Sequence, residues 1–254
     1  MAAASRSLGR LLPATSPVTY AILSFSCLLF LVSLLATMRE SGFQAPGGGL
    51  FSLFSFGGIN GDVLLRLGES IPAGYAESDI AQPWRLVTAI FLHGSILHIV
   101  FNMWVLMDIG PQIEELYGSA RYLFIYVVTG IGGYVVSSGL GSHPSVGGSG
   151  ALLGLIGVLL AMTTGRRSAG MQMLRGQLIR WLIYIGVWGL LFPGIDNWAH
   201  GGGLLTGFIL GKFLTDRPPA TSEERKLAYA LGWAAALVVV ASFAMMILGN
   251  VHAG

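Results

Sequence analysis

A series of long apolar segments separated by polar connections constrains this chain more than any other feature. A helix that crosses a bilayer needs about 20 mostly apolar residues. Seven windows approach that length: 17–37, 95–112, 119–140, 148–164, 177–193, 197–214 and 227–249. Only 10% of the 254 residues are charged, which is too little polar surface for a water-soluble protein of this size. The sequence therefore predicts an all-α polytopic membrane protein.

The basic residues predict an orientation across the membrane. With the N-terminus in the cytoplasm, all but three of the 14 Lys and Arg residues fall in cytoplasmic segments. The three exceptions, Arg39, Arg66 and Arg85, lie in one long outer loop that also carries acidic residues. Because cytoplasmic segments are enriched in Lys and Arg, we expect the N-terminus inside and the C-terminus outside. Basic residues that flank spans also indicate no nucleic-acid partner.

The windows divide the chain into consecutive parts. We expect a cytoplasmic leader at 1–16, a six-helix core at 17–215, a hydrophilic hinge at 216–226, an additional transmembrane helix at 227–249 and an outer tail at 250–254. The first window is longer than the apolar part of a signal peptide, so we interpret it as a retained span. A short organellar transit peptide is the alternative interpretation of the leader.

The outer loop at 38–94 is far longer than the other connections of the core. Long ordered loops usually have a function. Its aromatic, glycine-flanked stretch at 47–58 is typical of chain that lies at the headgroup level of a membrane. We expect this stretch to be partly immersed in the outer leaflet, and a disordered linker is the alternative.

Ser149 is one of few polar residues within the apolar windows. Such residues are costly in a membrane and are functional candidates for that reason. Ser149 lies between the glycine pair at Gly147 and Gly148 and the glycine at Gly150, which leaves its hydroxyl accessible to other groups. Taken alone, small residues in a membrane helix more often serve helix packing.

His200 opens a second glycine-rich span. Gly203 and Gly207 follow it at a spacing of four, which forms a smooth stripe on one side of a helix. Two glycine-lined helices can approach closely, as a hydrogen bond of about 2.6–3.2 Å between Ser149 and His200 requires. The packing pattern and a catalytic Ser–His pair are therefore compatible.

The second window contributes His98 and Asn102, which are four residues apart. This spacing places both side chains on one side of a helix. His93 precedes them and is equally compatible with polar packing between helices. The expected topology puts His98, Asn102, Ser149 and His200 near the same, outer face.

Three segments, in order, resemble the signature motifs of rhomboid proteases. They are His93-Gly-Ser-Ile-Leu-His98-Ile-Val-Phe-Asn102, Gly147-Gly-Ser149-Gly150 and Ala199-His200-Gly-Gly-Gly203-Leu-Leu-Thr-Gly207. Trp84-Arg85 and Glu114-Glu-Leu-Tyr117-Gly118 also resemble rhomboid features. The likeness covers about residues 17–215.

The resemblance implies a six-helix rhomboid core that cleaves transmembrane protein substrates within the lipid bilayer, without a cofactor. It implies that Ser149 attacks the scissile carbonyl and that His200 takes its proton, with no required aspartate. It further implies an oxyanion hole formed by His98, Asn102 and the backbone N–H of Ser149.

The resemblance also implies supporting roles and a location. Phe101 would lie beside the substrate entrance, and Trp84 and Arg85 would hold the outer loop. The chain departs from the family at Leu153, where an aromatic residue often packs on the catalytic histidine. The seventh span resembles a six-plus-one arrangement, and we expect a bacterial plasma membrane.

Three other classes of protein fit parts of the sequence. The first is a non-catalytic rhomboid-like protein that binds transmembrane helices, although such proteins typically lack the serine or the histidine. The second is a transporter with a histidine proton relay, which predicts ionisable residues along the whole span and not only near one face. The third is a metalloprotease with His93, His98 and His200 as ligands, for which no HExxH motif or suitably spaced carboxylate is present. We expect no metal.

Overall fold

The computed structural model describes residues 16–41, 58–75, 78–192 and 194–253, and this part of the chain is helical without a strand. Its helices are α1 (Pro17–Ser41), α2 (Gly61–Leu67), α3 (Arg85–Thr88), α4 (Ile96–Tyr117), α5 (Ser119–Leu140), α6 (Ser149–Thr163), α7 (Ala169–Leu191), α8 (Asn197–Phe213) and α9 (Ser222–Ala253). A 3₁₀ turn, Ala89–Phe91, follows α3. Each predicted apolar window coincides with one of the seven long helices to within a few residues, except that α7 begins earlier, at Ala169.

The long helices identify the chain as a membrane protein. Among the described residues, four helices are long and apolar enough to cross a bilayer, namely α1, α4, α5 and α9. The helix α6 is also apolar but has only 15 residues. The predicted fold class, an all-α polytopic membrane protein, is confirmed.

The centre of the core is formed by α5, α6 and α8, which are in contact through glycines. A β-carbon on Gly203 or Gly207 of α8 would collide with the backbone of Gly150 or Gly154 of α6. From the first contact to the second, the residue number increases by four on both helices, so α6 and α8 run parallel. Small residues at such contacts allow backbones to approach closely in membranes, where burial of apolar surface drives little association between helices.

The other long helices surround this centre. The N-terminus of α1 packs near the end of α4, where Glu114 accepts hydrogen bonds from the backbone N–H groups of Val18 and Thr19 at 3.0 and 2.8 Å. The helix α9 packs against α5, with Gly232 close to Ala120. Little of α7 is buried, because most of its apolar side chains face outwards.

The last helix begins at Ser222, within the segment 216–226 that is predicted to be a hydrophilic hinge. Thr221 and Glu224 form a capping box there, in which Thr221 Oγ1 accepts from the Glu224 N–H at 3.1 Å and the Glu224 carboxylate accepts from the Thr221 N–H at 3.2 Å. The charged residues of this segment therefore belong partly to the first turn of α9.

The outer loop contains α2 and α3. Asn60 caps the start of α2 by accepting from the Asp62 N–H at 2.8 Å, and Gly68 ends the helix in the left-handed conformation. The segment predicted to be immersed in the outer leaflet, 47–58, and the predicted leader, 1–16, lie almost wholly outside the described residues.

Candidate active site

A tight turn before α6 presents Ser149. Gly147 has a φ of +130°, a conformation that favours glycine, and its N–H donates to the Ala89 carbonyl at 2.9 Å. The Tyr134 hydroxyl donates to the Gly147 carbonyl at 2.9 Å. Ser149 is the first residue of α6, where backbone N–H groups have no acceptor within the helix.

The first turn of α8 carries His200 and is fixed by Asp196. One carboxylate oxygen of Asp196 caps the helix by accepting from the Ala199 N–H at 2.9 Å. The other accepts from the Ser137 hydroxyl at 2.5 Å, which ties the start of α8 to α5. Asp196 is thus the N-cap of α8, and it also joins two helices.

Ser149 and His200 are in hydrogen-bonding contact. The distance between Ser149 Oγ and His200 Nε2 is 2.8 Å, although the two residues lie on different helices and 51 positions apart. Both residues are half-buried. An imidazole at this distance can accept the hydroxyl proton when the oxygen attacks a carbonyl carbon.

His98 offers a hydrogen-bond donor beside the same turn. Its Nδ1 accepts from the Gly94 N–H at 3.4 Å, and a neutral imidazole that accepts at Nδ1 carries its proton on Nε2. That Nε2 faces Gly147, since a β-carbon on the glycine would lie 2.6 Å from it. The donor therefore points towards the segment that precedes Ser149.

Asn102 lies one helical turn after His98 and is buried. Its Nδ2 donates one hydrogen to the His98 carbonyl at 2.9 Å, which leaves the second hydrogen of the amide available. His98 Nε2 and the Ser149 backbone N–H are two further donors at the turn that carries Ser149, and Asn102 Oδ1 lies beside Gly148 of the same turn. Preorganised donors of this kind stabilise an oxyanion in acyl transfer.

Residues next to this cluster pack it in place. The His93 ring is fully buried and lies edge-on to His98, with ring centroids 5.1 Å apart. Phe101 contacts Trp104, which in turn contacts Trp181 of α7. Leu153 is buried one turn after Ser149.

Trp84 and Arg85 hold the outer loop together. The Arg85 guanidinium is buried, lies 4.7 Å above the Trp84 ring and donates to the carbonyl oxygens of Leu65 and Glu69 at 2.9 and 3.1 Å. Burial raises the pKa of the Glu69 carboxyl to about 7, although the charge of Arg85 acts in the opposite direction.

Two residues near the site were not singled out from the sequence, namely Tyr126 and Tyr134. The two tyrosines, with Tyr122, recur at multiples of four along α5 and share one buried face. That spacing within an apolar span is a signal of inward-facing hydroxyl groups. Within the described part of the chain, no three His, Cys, Asp or Glu side chains are grouped as metal ligands.

Two protein families match this chain. The Rhomboid domain family matches residues 81–217, which is more than half of the chain. A family described as eukaryotic integral membrane proteins matches residues 19–142.

Several curated proteins are similar over the same region. RHOMBOID-like protein 6, mitochondrial, of Arabidopsis thaliana is 40% identical over 145 residues, which cover 56% of this chain and 47% of that protein. Rhomboid protease GluP of Bacillus subtilis is 38% identical over 126 residues, which cover 50% of this chain and 25% of that protein. RHOMBOID-like protein 5 of Arabidopsis thaliana is 38% identical over 167 residues, covering 61% and 53%. The matches thus span between a quarter and about half of these relatives.

Proposed function

The chain belongs to the rhomboid family, and from this premise we propose that it is an intramembrane serine endopeptidase that cleaves transmembrane segments of other membrane proteins. The observation that carries the proposal is the 2.8 Å contact between Ser149 Oγ and His200 Nε2. Two polar side chains on separate apolar helices are costly in a membrane unless they are paired or used.

The reaction proceeds through an acyl-enzyme. Ser149 Oγ attacks the carbonyl carbon of the scissile peptide bond, and His200 Nε2 takes the hydroxyl proton. The protonated His200 then gives this proton to the leaving amine as the C–N bond breaks. A water molecule attacks the ester, again with His200 as base, and releases the new carboxyl group and Ser149.

The donors around Ser149 stabilise the tetrahedral intermediate of this reaction. The negative oxygen accepts from His98 Nε2, from the free hydrogen of Asn102 Nδ2 and from the Ser149 N–H. Removing one such donor costs roughly 2.7–4 kcal/mol of transition-state stabilisation in comparable acyl transfer.

The length of α6 supports cleavage within the membrane. Its 15 residues span about 22 Å, which is less than the roughly 30 Å of a hydrocarbon core. When Thr163, at the C-terminal end of α6, lies at the inner boundary of the hydrocarbon core, Ser149 at the other end lies below the outer membrane surface. The sparsely buried α7 contacts Trp104 of α4 through Trp181, and Phe101 packs on the same Trp104; this side is the proposed entrance for a substrate helix.

We also propose that the protein resides in a bacterial plasma membrane with its N-terminus in the cytoplasm. The distribution of Lys and Arg supports this orientation. Single cysteines introduced as Ser142→Cys and Ser168→Cys into a Cys27→Ser background test it. An impermeant maleimide should label the first variant from outside and the second only after lysis.

Active-site labelling tests the proposed activity. A fluorophosphonate should modify the purified wild-type protein covalently and should not modify Ser149→Ala or His200→Ala. Ser142→Ala is the matched control, because it removes an exposed hydroxyl from the connection between α5 and α6. It should be labelled as fast as the wild type. Cleavage profiling of single-span proteins in cells, wild type against Ser149→Ala, then identifies substrates.

Equal labelling of the wild type and Ser149→Ala would refute the nucleophile. If the folded wild-type protein is not labelled and cleaves no single-span protein, the protein is a non-catalytic rhomboid-like binder of transmembrane helices.

A further inference from the structure

Two complementary polar groups near the site are buried and unpaired. Tyr126 of α5 is fully buried, and its hydroxyl has no hydrogen-bond partner in this structure. Asn102 of α4 is 3% exposed, and its Oδ1 also has no partner. A tyrosine hydroxyl can donate, whereas an amide oxygen can only accept. Leaving both groups unpaired costs free energy that one hydrogen bond between them recovers.

Gly148 brings these two groups to one place. A β-carbon on Gly148 would lie 2.7 Å from the Tyr126 hydroxyl and 3.7 Å from Asn102 Oδ1. Both oxygens therefore lie on the same side of the residue that immediately precedes Ser149. A side chain at position 148 would collide with the tyrosine, so the glycine leaves room for the hydroxyl.

The orientation of the Asn102 amide decides what it does to an oxyanion. With Nδ2 towards the site, the amide donates to the negative oxygen; with the amide reversed, Oδ1 would repel it. The bond from Nδ2 to the His98 carbonyl is made along α4 itself, and the Oδ1 end has no hydrogen bond to hold it. A donor for Oδ1 would fix the amide in the productive orientation.

We propose that the Tyr126 hydroxyl is a positioning group for the oxyanion hole, and that it donates to Asn102 Oδ1 as the tetrahedral intermediate forms. This inference rests on the proposed protease activity. Hydrogen bonds of a catalytic site are often long or misaligned without substrate and tighten in the reacting complex. The phenolic hydrogen can turn about its C–O bond, and a change in the Asn102 side-chain torsion completes the hydrogen bond.

The test compares rates of fluorophosphonate modification in the full-length protein. Tyr126→Phe removes only the hydroxyl and should lower the maximal rate of modification about threefold to tenfold, the size of one neutral hydrogen bond, while the concentration dependence of binding stays unchanged. Tyr122→Phe is the matched control, because it removes a buried hydroxyl from the same face of α5 that lies beside Thr19 and Gly110. It should react at the wild-type rate.

A double-mutant cycle separates positioning from general packing. In an Asn102→Ala background, Tyr126→Phe should have no further effect on the maximal rate. The proposal is overturned if Tyr126→Phe reacts as fast as the wild type, if it slows Asn102→Ala by the same factor, or if Tyr122→Phe is slowed equally. A wild-type protein that does not react refutes the protease activity instead, so the two failures are distinguishable.

Discussion

Gly203 of α8 lies directly against the backbone of Gly150 of α6, so closely that a β-carbon on Gly203 would collide with the Gly150 carbonyl. Both glycines lie within one helical turn of the Ser–His contact. Gly150 directly follows Ser149, and Gly203 lies three positions after His200. The separation of the two helices at this point therefore sets the distance between the hydroxyl and the imidazole.

Gly203→Ala should impair both stability and activity. The added methyl group must push α8 away from α6, and overpacking of this kind typically costs about 1–3 kcal/mol of folding free energy. Displacing a catalytic group by about 1 Å can reduce turnover roughly 100-fold. Thermal unfolding in detergent and the rate of fluorophosphonate modification measure the two effects.

Gly201→Ala provides the control on the same helix. A β-carbon at position 201 meets nothing within 4 Å. Because alanine favours a helix over glycine by up to about 1 kcal/mol, Gly201→Ala should be neutral or slightly stabilising. An equal loss of activity in both variants would show that helix separation is not the cause.

Glu114 should be essential for the junction between α1 and α4. Its carboxylate accepts from the Val18 and Thr19 N–H groups and from the Thr19 and Ser119 hydroxyls. It thereby caps the N-terminus of α1, where backbone N–H groups lack partners and negative charge is favoured.

Glu114→Ala leaves these donors buried and unpaired, which should lower the free energy of unfolding by roughly 1–3 kcal/mol. The neighbouring Glu115 is exposed, and Glu115→Ala should unfold like the wild type. Denaturation of both variants in the same detergent is the measurement. Equal unfolding of Glu114→Ala and the wild type would contradict the assigned role.

The contrast between the Ser–His pair and Glu114 shows what the sequence can reveal. Ser149, His200 and the glycine stripes could be singled out because helical periodicity places residues on helix faces without knowledge of neighbouring helices. Glu114 and Val18 are 96 positions apart, and their contact depends on which helix packs beside α1. No local pattern encodes that choice.

The start of α9 was obscured for a different reason. The segment around Thr221 and Glu224 is charged and follows two prolines, which favours a hinge, whereas the same residues have the spacing of a capping box. Hydropathy alone identifies the apolar part of a helix and misses its polar first turn. Tyr126 was missed because its importance lies in an unpaired hydroxyl that only three-dimensional packing reveals.

The stability of the outer loop should decrease as pH rises. Burial raises the pKa of Glu69 from 4.5 to about 7, so between these values the folded protein binds more protons than the unfolded chain. A raised carboxyl pKa therefore stabilises the fold at low pH and loses that contribution as pH rises through about 7.

Glu69→Gln keeps the side chain neutral at every pH and should remove this decline. Its midpoint of thermal unfolding should exceed that of the wild type at about pH 8 and match it at about pH 4. Glu223→Gln, which changes an exposed carboxylate at the start of α9, should retain the wild-type pH dependence. A wild-type curve that is flat between pH 5 and 8 would refute the prediction.

Asp196 should affect activity through the position of His200. Asp196→Ala removes the cap of α8 and the bond to Ser137, which should lower stability by about 1 kcal/mol. It should also slow modification of Ser149, because the first turn of α8 carries His200, the proposed base. Asp196→Asn can still cap the helix and should recover most of both losses.

Asn60→Ala removes a comparable cap from α2 and should lower stability without slowing the reaction, since α2 carries neither Ser149 nor His200. If both alanine variants slowed the reaction equally, loss of a cap in itself, and not the placement of His200, would be the cause.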